Sequence, residues 1–359
     1  MVTKIEHGDE AENPTSGGSL TCTIALDAMG GDVGPDVVIP AALSILSQRD
    51  DVCLILVGDT DVLTPKLKSA GGEPSERLKL HHAPQTVGMD EAPSQALRAK
   101  RNSSMRIALN LVKEGQAQAC VSAGNSGALM AMARYVLKTL PGIDRPAMIS
   151  ALPSKKGQTH VLDLGANIDL TADQLFQLAV MGSVIARAIH NIPKPSVGVL
   201  NIGEEEIKGN ETVKEAARLL AASHLNDYGF VEGDDIYKGT VDVVVCDGFV
   251  GNVALKSSEG VANMLTSSLK EAFTANLFTK LIGLLVKPVL SSFRTKFDPR
   301  HYNGATLVGL RGVVIKSHGG ADALAFENAI NVAVIEARQD VPSLISEELR
   351  SVLVERQAG

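Results

Sequence analysis

The stretch QACVSAGNSGALMAM, residues 118–132, reads in three parts. QACVSAG (118–124) is a short apolar run of strand character. Residues 127–139 carry apolar positions at helical spacing. Between them Ala123, Gly124, Asn125, Ser126 and Gly127 offer little side chain and many backbone N–H groups. A strand that passes through a glycine turn directly into a helix is half of a βαβ crossover, the building unit of parallel sheets.

The same alternation runs along the chain. Strands are predicted at 22–28, 52–58, 78–83, 118–124, 147–153, 159–165, 196–202, 242–248, 305–310 and 313–318. Several are apolar at nearly every position, as strands covered on both faces are. Helical patterns fill many of the gaps, at 35–48, 93–114, 127–139, 171–190, 210–225, 250–275 and 321–338. The fold class is therefore α/β, with a mostly parallel sheet flanked by helices and no internal repeat. One domain is expected over 21–340, between a polar, disordered tail (1–20) and a C-terminal helical tail (341–359).

Composition narrows the function. The chain has 359 residues, 45% hydrophobic, enough for a large core. A net charge of −7, only 3% aromatic residues and no Trp argue against a nucleic-acid partner. Cys22, Cys53, Cys120 and Cys246 lack zinc-site or disulfide-scaffold spacing and read as small core residues in a reducing compartment. Residues 1–20 lack the apolar segment of a signal peptide, and no window of about 20 apolar residues spans a membrane. A cytoplasmic protein is expected.

Polar residues gather at strand ends. Asp27, Asp59, Ser122, Asp163, Asn201 and Asp247 lie at or near predicted carboxyl ends. Each alone could cap a helix; together they favour a shared cleft, where open α/β sheets bind ligands. The 122–127 turn has two readings, an anion cradle of unpaired helix N–H groups or an ordinary tight turn, since neither GxGxxG nor a P-loop is present. Similar junctions are LDAMGGDVGPD (26–36), LDLGANIDLTADQL (162–175), LNIGEEEIKGNE (200–211) and VVCDGFVGNVALKSSEG (244–260). His81, His82 and His160 fall in strands without metal-ligand spacing, so neither a metal nor a cofactor is expected.

The wording ALDAMGGDVGPD, VSAGNSGALMA, LDLGAN, NIGEEEIKGNE, CDGFVGNVALKSSEG and YNGATLVGLRGVVIKSHGGAD, in that order over about 22–335, resembles the phosphate acyltransferase family of bacterial phospholipid synthesis. The resemblance implies a three-layer α/β/α fold like the isocitrate and isopropylmalate dehydrogenases, and a homodimer. It implies that an acyl-(acyl carrier protein) reacts with inorganic phosphate to give acyl phosphate and free carrier protein. It also implies peripheral association with the inner face of the cell membrane, and a functional link to a glycerol-3-phosphate acyltransferase that consumes the product.

Phosphate is itself the nucleophile in such a reaction, so no Ser elbow or activated Cys is needed. What is needed is a held phosphate and donors for the developing oxyanion. On that reading Gly124, Asn125, Ser126 and Gly127 cradle phosphate. Asp27, Asp163, Asn167 and Asn201 order the cleft, which Gly30, Gly31, Asp247, Gly248 and Asn252 also line. Lys208 neutralises phosphate charge, and His318 either donates to the carbonyl or thiolate or merely closes the SHGG loop.

Two segments stand apart. LRAKRNSSMR (97–106) carries Arg98, Lys100, Arg101 and Arg106, either a solvated helix face or, given the resemblance, a strip that steers an acidic carrier protein. NLFTKLIGLLVKPVLSSFRTKF (276–297) places Phe278, Leu281, Ile282, Leu284, Leu285 and Val289 on an apolar face with cationic flanks. It reads as an interfacial helix, or else as a dimer-interface or core helix, in two pieces broken at Pro288, within a hairpin at about 258–298 that the resemblance favours as protruding.

Overall fold

All ten apolar runs form strands, and an eleventh joins them. A computed structural model describes residues 21–296 and 298–358. Its strands are β1 (Cys22–Asp27), β2 (Val52–Gly58), β3 (Leu78–His82), β4 (Ala119–Ser122), β5 (Ala147–Ser154), β6 (Gly157–Leu162), β7 (Ser196–Leu200), β8 (Asn226–Val231), β9 (Val243–Val245), β10 (Ala305–Val308) and β11 (Val313–Lys316). The helices are α1 (Pro35–Gln48), α2 (Thr60–Ser69), α3 (Pro93–Ala99), α4 (Ser104–Lys113), α5 (Ser126–Leu137), α6 (Ala172–His190), α7 (Glu211–Ala221), α8 (Asp235–Lys238), α9 (Gly248–Thr274), α10 (Leu277–Lys296), α11 (Ala323–Arg338) and α12 (Val341–Ala358).

The strands form one sheet in the order β3-β2-β1-β4-β11-β10-β5-β6-β9-β7-β8. The first five are mutually parallel, as are β6, β9, β7 and β8. Between the two sets, β10 runs antiparallel to both β11 and β5, and β5 antiparallel to β6. This seam divides the sheet into an N-terminal and a C-terminal lobe.

Side chains alternate across each strand, so both faces of the sheet need cover. In the N-terminal lobe Ile24, Leu26, Leu54 and Leu56 pack under Val38 and Ile39 of α1 and Phe326 and Ile330 of α11. Ala25, Val57 and Cys120 pack on the other face under Leu109 of α4 and Leu129 and Met132 of α5. In the C-terminal lobe Leu162, Val243 and Val245 pack under α6, which in turn carries α12. The C-terminal segment is thus docked: Val341, Ile345, Leu349 and Val352 are buried.

Three local patterns differ from expectation. The 93–114 helix is two helices, because the buried Ser103 caps a fresh start, its Oγ accepting from Arg106 N at 3.3 Å. The strand NDYGFV (β8) lies at the sheet edge, pairing with β7, and needs no apolar run. Pro288 does not break α10, which continues through it to Lys296. Proline removes one N–H, and its ring crowds the carbonyl four residues back. That carbonyl belongs to the exposed Leu284, where water can take the freed bond.

The hairpin protrudes as expected. From about residue 260 most of α9 is exposed, and α10 packs back on it, with Phe273 seated against Gly283. Residues 1–20, expected to be disordered, lie outside the described residues.

Candidate active site

The turn between β4 and α5 is built around Asn125. Its Oδ1 caps α5 by accepting from Ala128 N at 3.0 Å. Its Nδ2 donates to the carbonyls of Met89 and Glu91, at 2.8 and 3.0 Å, tying the 85–92 loop to the helix start. Both side-chain N–H groups are therefore engaged by backbone carbonyls in this structure, whereas the sequence reads as making them donors to phosphate. The backbone N–H groups of Ser126 and Gly127 have no acceptor among the described residues, and both residues are exposed. They form the electropositive end of a 12-residue helix.

Beneath this turn lies Asp27, buried at the end of β1. Ser122 Oγ donates to Asp27 Oδ2 at 2.6 Å and accepts from Gly124 N at 3.1 Å. Gly30 closes over the carboxylate: a Cβ there would lie 2.5 Å from Asp27 Oδ2 and 2.8 Å from Gly124 N. Asp27 Oδ1 has no hydrogen-bond partner at normal geometry. Burial raises the Asp27 pKa, opposed by the Ser104 and Ser122 hydroxyls.

Lys316, at the end of β11, completes this centre and was not anticipated. It sits beside Ser122 in the β4–β11 register. It is 8% exposed, and its Nζ donates to Ala123 O at 3.2 Å and to Ser317 O. Burial pulls its pKa down to about 8, against the carboxylates of Asp27 and Asp32, and Lys256 pulls it further down. In the sequence Lys316 is one charge closing VVIKSH; a lysine in an otherwise apolar strand is the signal that marks it.

His318 follows in an exposed loop. Its Nδ1 accepts from Gly320 N at 3.1 Å, and its own N–H is held by Asn303 Oδ1 at 2.9 Å. With Nδ1 an acceptor, the neutral ring carries its proton on Nε2. The loop-closing and donor roles are thus compatible. Asp32 N donates to Gly319 O at 2.9 Å, linking this loop to the Gly30-Gly31 turn.

A second centre lies in the C-terminal lobe. Asp163 is fully buried; its Oδ1 accepts from Met148 N and Ala166 N, both at 3.0 Å, and its Oδ2 from Asn167 N and Nδ2, at 2.7 and 2.9 Å. Burial raises its pKa while these donors oppose the shift. Asn167 Nδ2 also donates to Pro146 O at 2.9 Å, and Asn167 O accepts from Gly248 N at 2.7 Å. Asp247 caps α9 through Val250 N at 2.9 Å. Gly251 lies against the Asp163 carbonyl, and Asn252 against Gly165. Asp163 and Asn167 therefore build the loop on which α9 is seated, rather than presenting free groups.

Asn201 is likewise structural: Nδ2 donates to the carbonyls of Gly203 and Lys208, at 3.0 and 3.2 Å. Lys208 is paired with Glu205 at 2.7 Å on an exposed loop, so its charge is already balanced. The structure does not bring Lys208 to the Asp27 centre. The two centres are linked instead by α9, whose Lys256 acts electrostatically on Lys316. In the C-terminal lobe Ile168, Ile202 and Ile207 are exposed on loops and Phe249 is exposed in the first turn of α9.

In the basic strip Arg98 and Arg101 are exposed, and Lys100 is half-buried. Arg106 is half-buried and stacks over Tyr135 at 4.6 Å, where Lys138 also lies at 4.9 Å. On α10, Phe278, Leu281, Leu284 and Leu285 are exposed, whereas Ile282 is half-buried. The side chain of Val289 lies outside the described residues. Among the described residues no helix is long and apolar enough to cross a membrane, and no His, Cys, Asp and Glu cluster could hold a metal. Burial raises the pKa of Cys22, Cys120 and Cys246, the opposite of an activated nucleophile.

Residues 22–344 match the family model described as fatty acid synthesis protein. A phosphate acyltransferase of Nitrosococcus oceani is 63% identical over 338 residues, 94% of this chain and 99% of that protein. A phosphate acyltransferase of Legionella pneumophila is 55% identical over 332 residues, 92% of this chain and 97% of the relative. The fold is also that of EutD phosphotransacetylase from Staphylococcus aureus, with a TM-score of 0.60 at 18% identity over 88% of this chain and 94% of that one. A 4-hydroxythreonine-4-phosphate dehydrogenase from Klebsiella pneumoniae superposes with a TM-score of 0.53 at 16% identity, over 88% and 99% of the two chains. The dehydrogenase-like α/β architecture expected from the sequence is therefore present.

Proposed function

The chain belongs to the phosphate acyltransferase family, and on that premise we propose that its acyl donor is an acyl carrier protein thioester and that phosphate is held at the start of α5. The observation that carries this reading is the pair of unpartnered N–H groups at Ser126 and Gly127, beside the buried Lys316 cation. A helix N-terminus and an ammonium group together suit a divalent oxyanion.

In the proposed reaction a phosphate oxygen attacks the thioester carbonyl carbon. The C–S bond breaks, the electron pair leaves on sulfur, and acyl phosphate forms. The thiolate takes a proton, for which the Nε2–H of His318 is the available donor. Asp27 acts on Lys316 through charge and on the turn through Ser122, which makes it a positioning residue. No covalent enzyme intermediate is required, in keeping with cysteines held as thiols.

The exposed Ile168, Ile202, Ile207 and Phe249 offer an apolar surface for the acyl chain. Arg98, Lys100 and Arg101 suit the acidic carrier. The apolar hairpin suits a homodimer contact, a membrane surface, or both in turn; on the membrane reading the enzyme works at the inner face of the cell membrane, where a glycerol-3-phosphate acyltransferase would take its product.

The deciding experiment is phosphate-dependent release of carrier thiol from palmitoyl-carrier protein, with mass detection of palmitoyl phosphate. Product that scales with phosphate is expected. Turnover of palmitoyl-coenzyme A with none from the carrier thioester would overturn the donor assignment.

A further inference from the structure

The seam between the lobes holds a cavity of about 270 Å³ on the face covered by α6 and α11. Ile149 and Thr306 of β5 and β10 form part of its floor. The neighbouring Met148 and Leu307 point to the opposite face, toward α5. The cavity is therefore separate from the turn at Ser126.

His160 is the clearest sign of a ligand. It is 4% exposed and lines the cavity, yet neither of its ring nitrogens has a hydrogen-bond partner. His190 lies beside it, ring centroids 4.9 Å apart, and its Nε2 is also unpartnered. A buried polar group without a partner is costly, so such groups mark a place where something else supplies the bond. Two adjacent imidazoles that do not bond each other point to an occupant that both can reach.

The lining selects the class of that occupant. Among the described residues no carboxylate, ammonium or guanidinium lines the cavity, and the remaining imidazole of the lining, His301, is exposed. Burial depresses the pKa of His160 to about 3, with His190 adding to the effect, so the pair is neutral near pH 7. The carboxylate of Asp242 acts on both rings from nearby, held by Ser196 N and Oγ at 2.8 and 2.7 Å. An anion would meet that negative field with no buried cation among the described residues to offset it, and a cation would find no carboxylate in the lining. Asn328, whose Nδ2 is used on Arg300 O and Leu324 O, adds a neutral acceptor, while Ile185, Ile189 and Val332 supply apolar wall. Neutral donors and acceptors set among isoleucine and valine suit the hydroxyls and C–H faces of a cyclic polyol.

The geometry points to a second ligand site at this seam, which takes an uncharged hydroxylated small molecule about the size of a cyclitol or hexose. The test is nitrogen NMR of the full chain labelled at histidine, titrated with myo-inositol and, separately, with inorganic phosphate. Saturable shifts of the His160 and His190 ring nitrogens are expected with myo-inositol in the millimolar range, and none from these two rings with phosphate. Ile335→Trp, at the exposed rim, should abolish the myo-inositol shifts while leaving the thermal melt unchanged. Unmoved His160 signals would overturn the site, and shifts produced by phosphate but not by myo-inositol would overturn the neutral class. Persistence of the shifts in a folded Ile335→Trp protein would place the ligand elsewhere and overturn the location.

Discussion

Gly251 sits so close to Asp163 that a Cβ on Gly251 would come within 1.9 Å of the Asp163 carbonyl oxygen. Both partners are fixed, one in a helix and the other by four hydrogen bonds to its carboxylate. Gly251→Ala should therefore cost more than about 4 kcal/mol, with loss of soluble protein. Gly260→Ala, in the same helix with no atom within 4 Å, should instead gain about 1 kcal/mol from helix propensity. Thermal melts of the two variants check the contrast.

The depressed pKa of Lys316 predicts a pH dependence for the proposed reaction. Its charge is lost as pH rises through about 8, so turnover at low phosphate should fall across that range. Lys316→Met should raise the KM for phosphate about 10- to 100-fold, the equivalent of one charge-assisted hydrogen bond. Lys316→Arg should retain some phosphate affinity and remove the alkaline fall. A KM unchanged in the methionine variant would exclude contact with phosphate.

Glu336 supplies a separate test through stability. It is fully buried, with Oε1 accepting from Thr306, and burial pushes its pKa up to about 8 from 4.5. Between those values the folded state holds a proton that the unfolded state has lost. Stability should therefore fall by about 1.4 kcal/mol per pH unit as pH rises from 4.5 to 8. Glu336→Gln keeps the hydrogen bond and should flatten that slope, as urea unfolding at three pH values would show.

Leu281→Glu with Leu285→Glu places two carboxylates on the exposed face of α10. If the hairpin docks on lipid, the variant should fail to float with anionic vesicles while its melt is unchanged, since neither side chain packs in the body. Undiminished flotation would show that this face of α10 is not what holds the protein to lipid.

Arg98→Glu with Arg101→Glu should raise the KM for the carrier substrate, and added salt should narrow the gap from wild type. Turnover number should hold, because a steering charge acts on encounter with the carrier and not on the chemical step. A salt-insensitive, unchanged KM would remove the strip from carrier binding.

The strands are legible in the sequence because burial on both faces demands apolar, β-branched runs, as in VCLILVG of β2. The edge strand β8 escapes that logic: NDYGFV pairs on one side only, so polar residues suffice. Strand-end polarity is legible too, but not what each group does. Asn125, Asp163 and Asn201 look alike as polar residues at sheet ends, and in space all three side chains are bonded to nearby backbone groups. Lys316 reads the other way, as an unremarked end of a strand, because its burial depends on Ala123 and Ser317 lying beside it. Such distinctions come from partners far away in sequence, which local pattern does not encode.

The order of strands has a consequence for biosynthesis. β11 pairs with β4 across about 190 residues of intervening chain, and β10 joins the lobes from the same late segment. Contacts of such separation form slowly and only once both ends exist. As the chain leaves the ribosome, β1 to β4 must wait with an open edge at β4 while the whole C-terminal lobe is made. Lys316 arrives only with β11, so the ammonium group beside the Ser126 turn and the strand that closes the sheet are delivered together. A chain interrupted before residue 316 holds neither, and on the proposed role of Lys316 catalytic competence becomes a report that synthesis has passed that point.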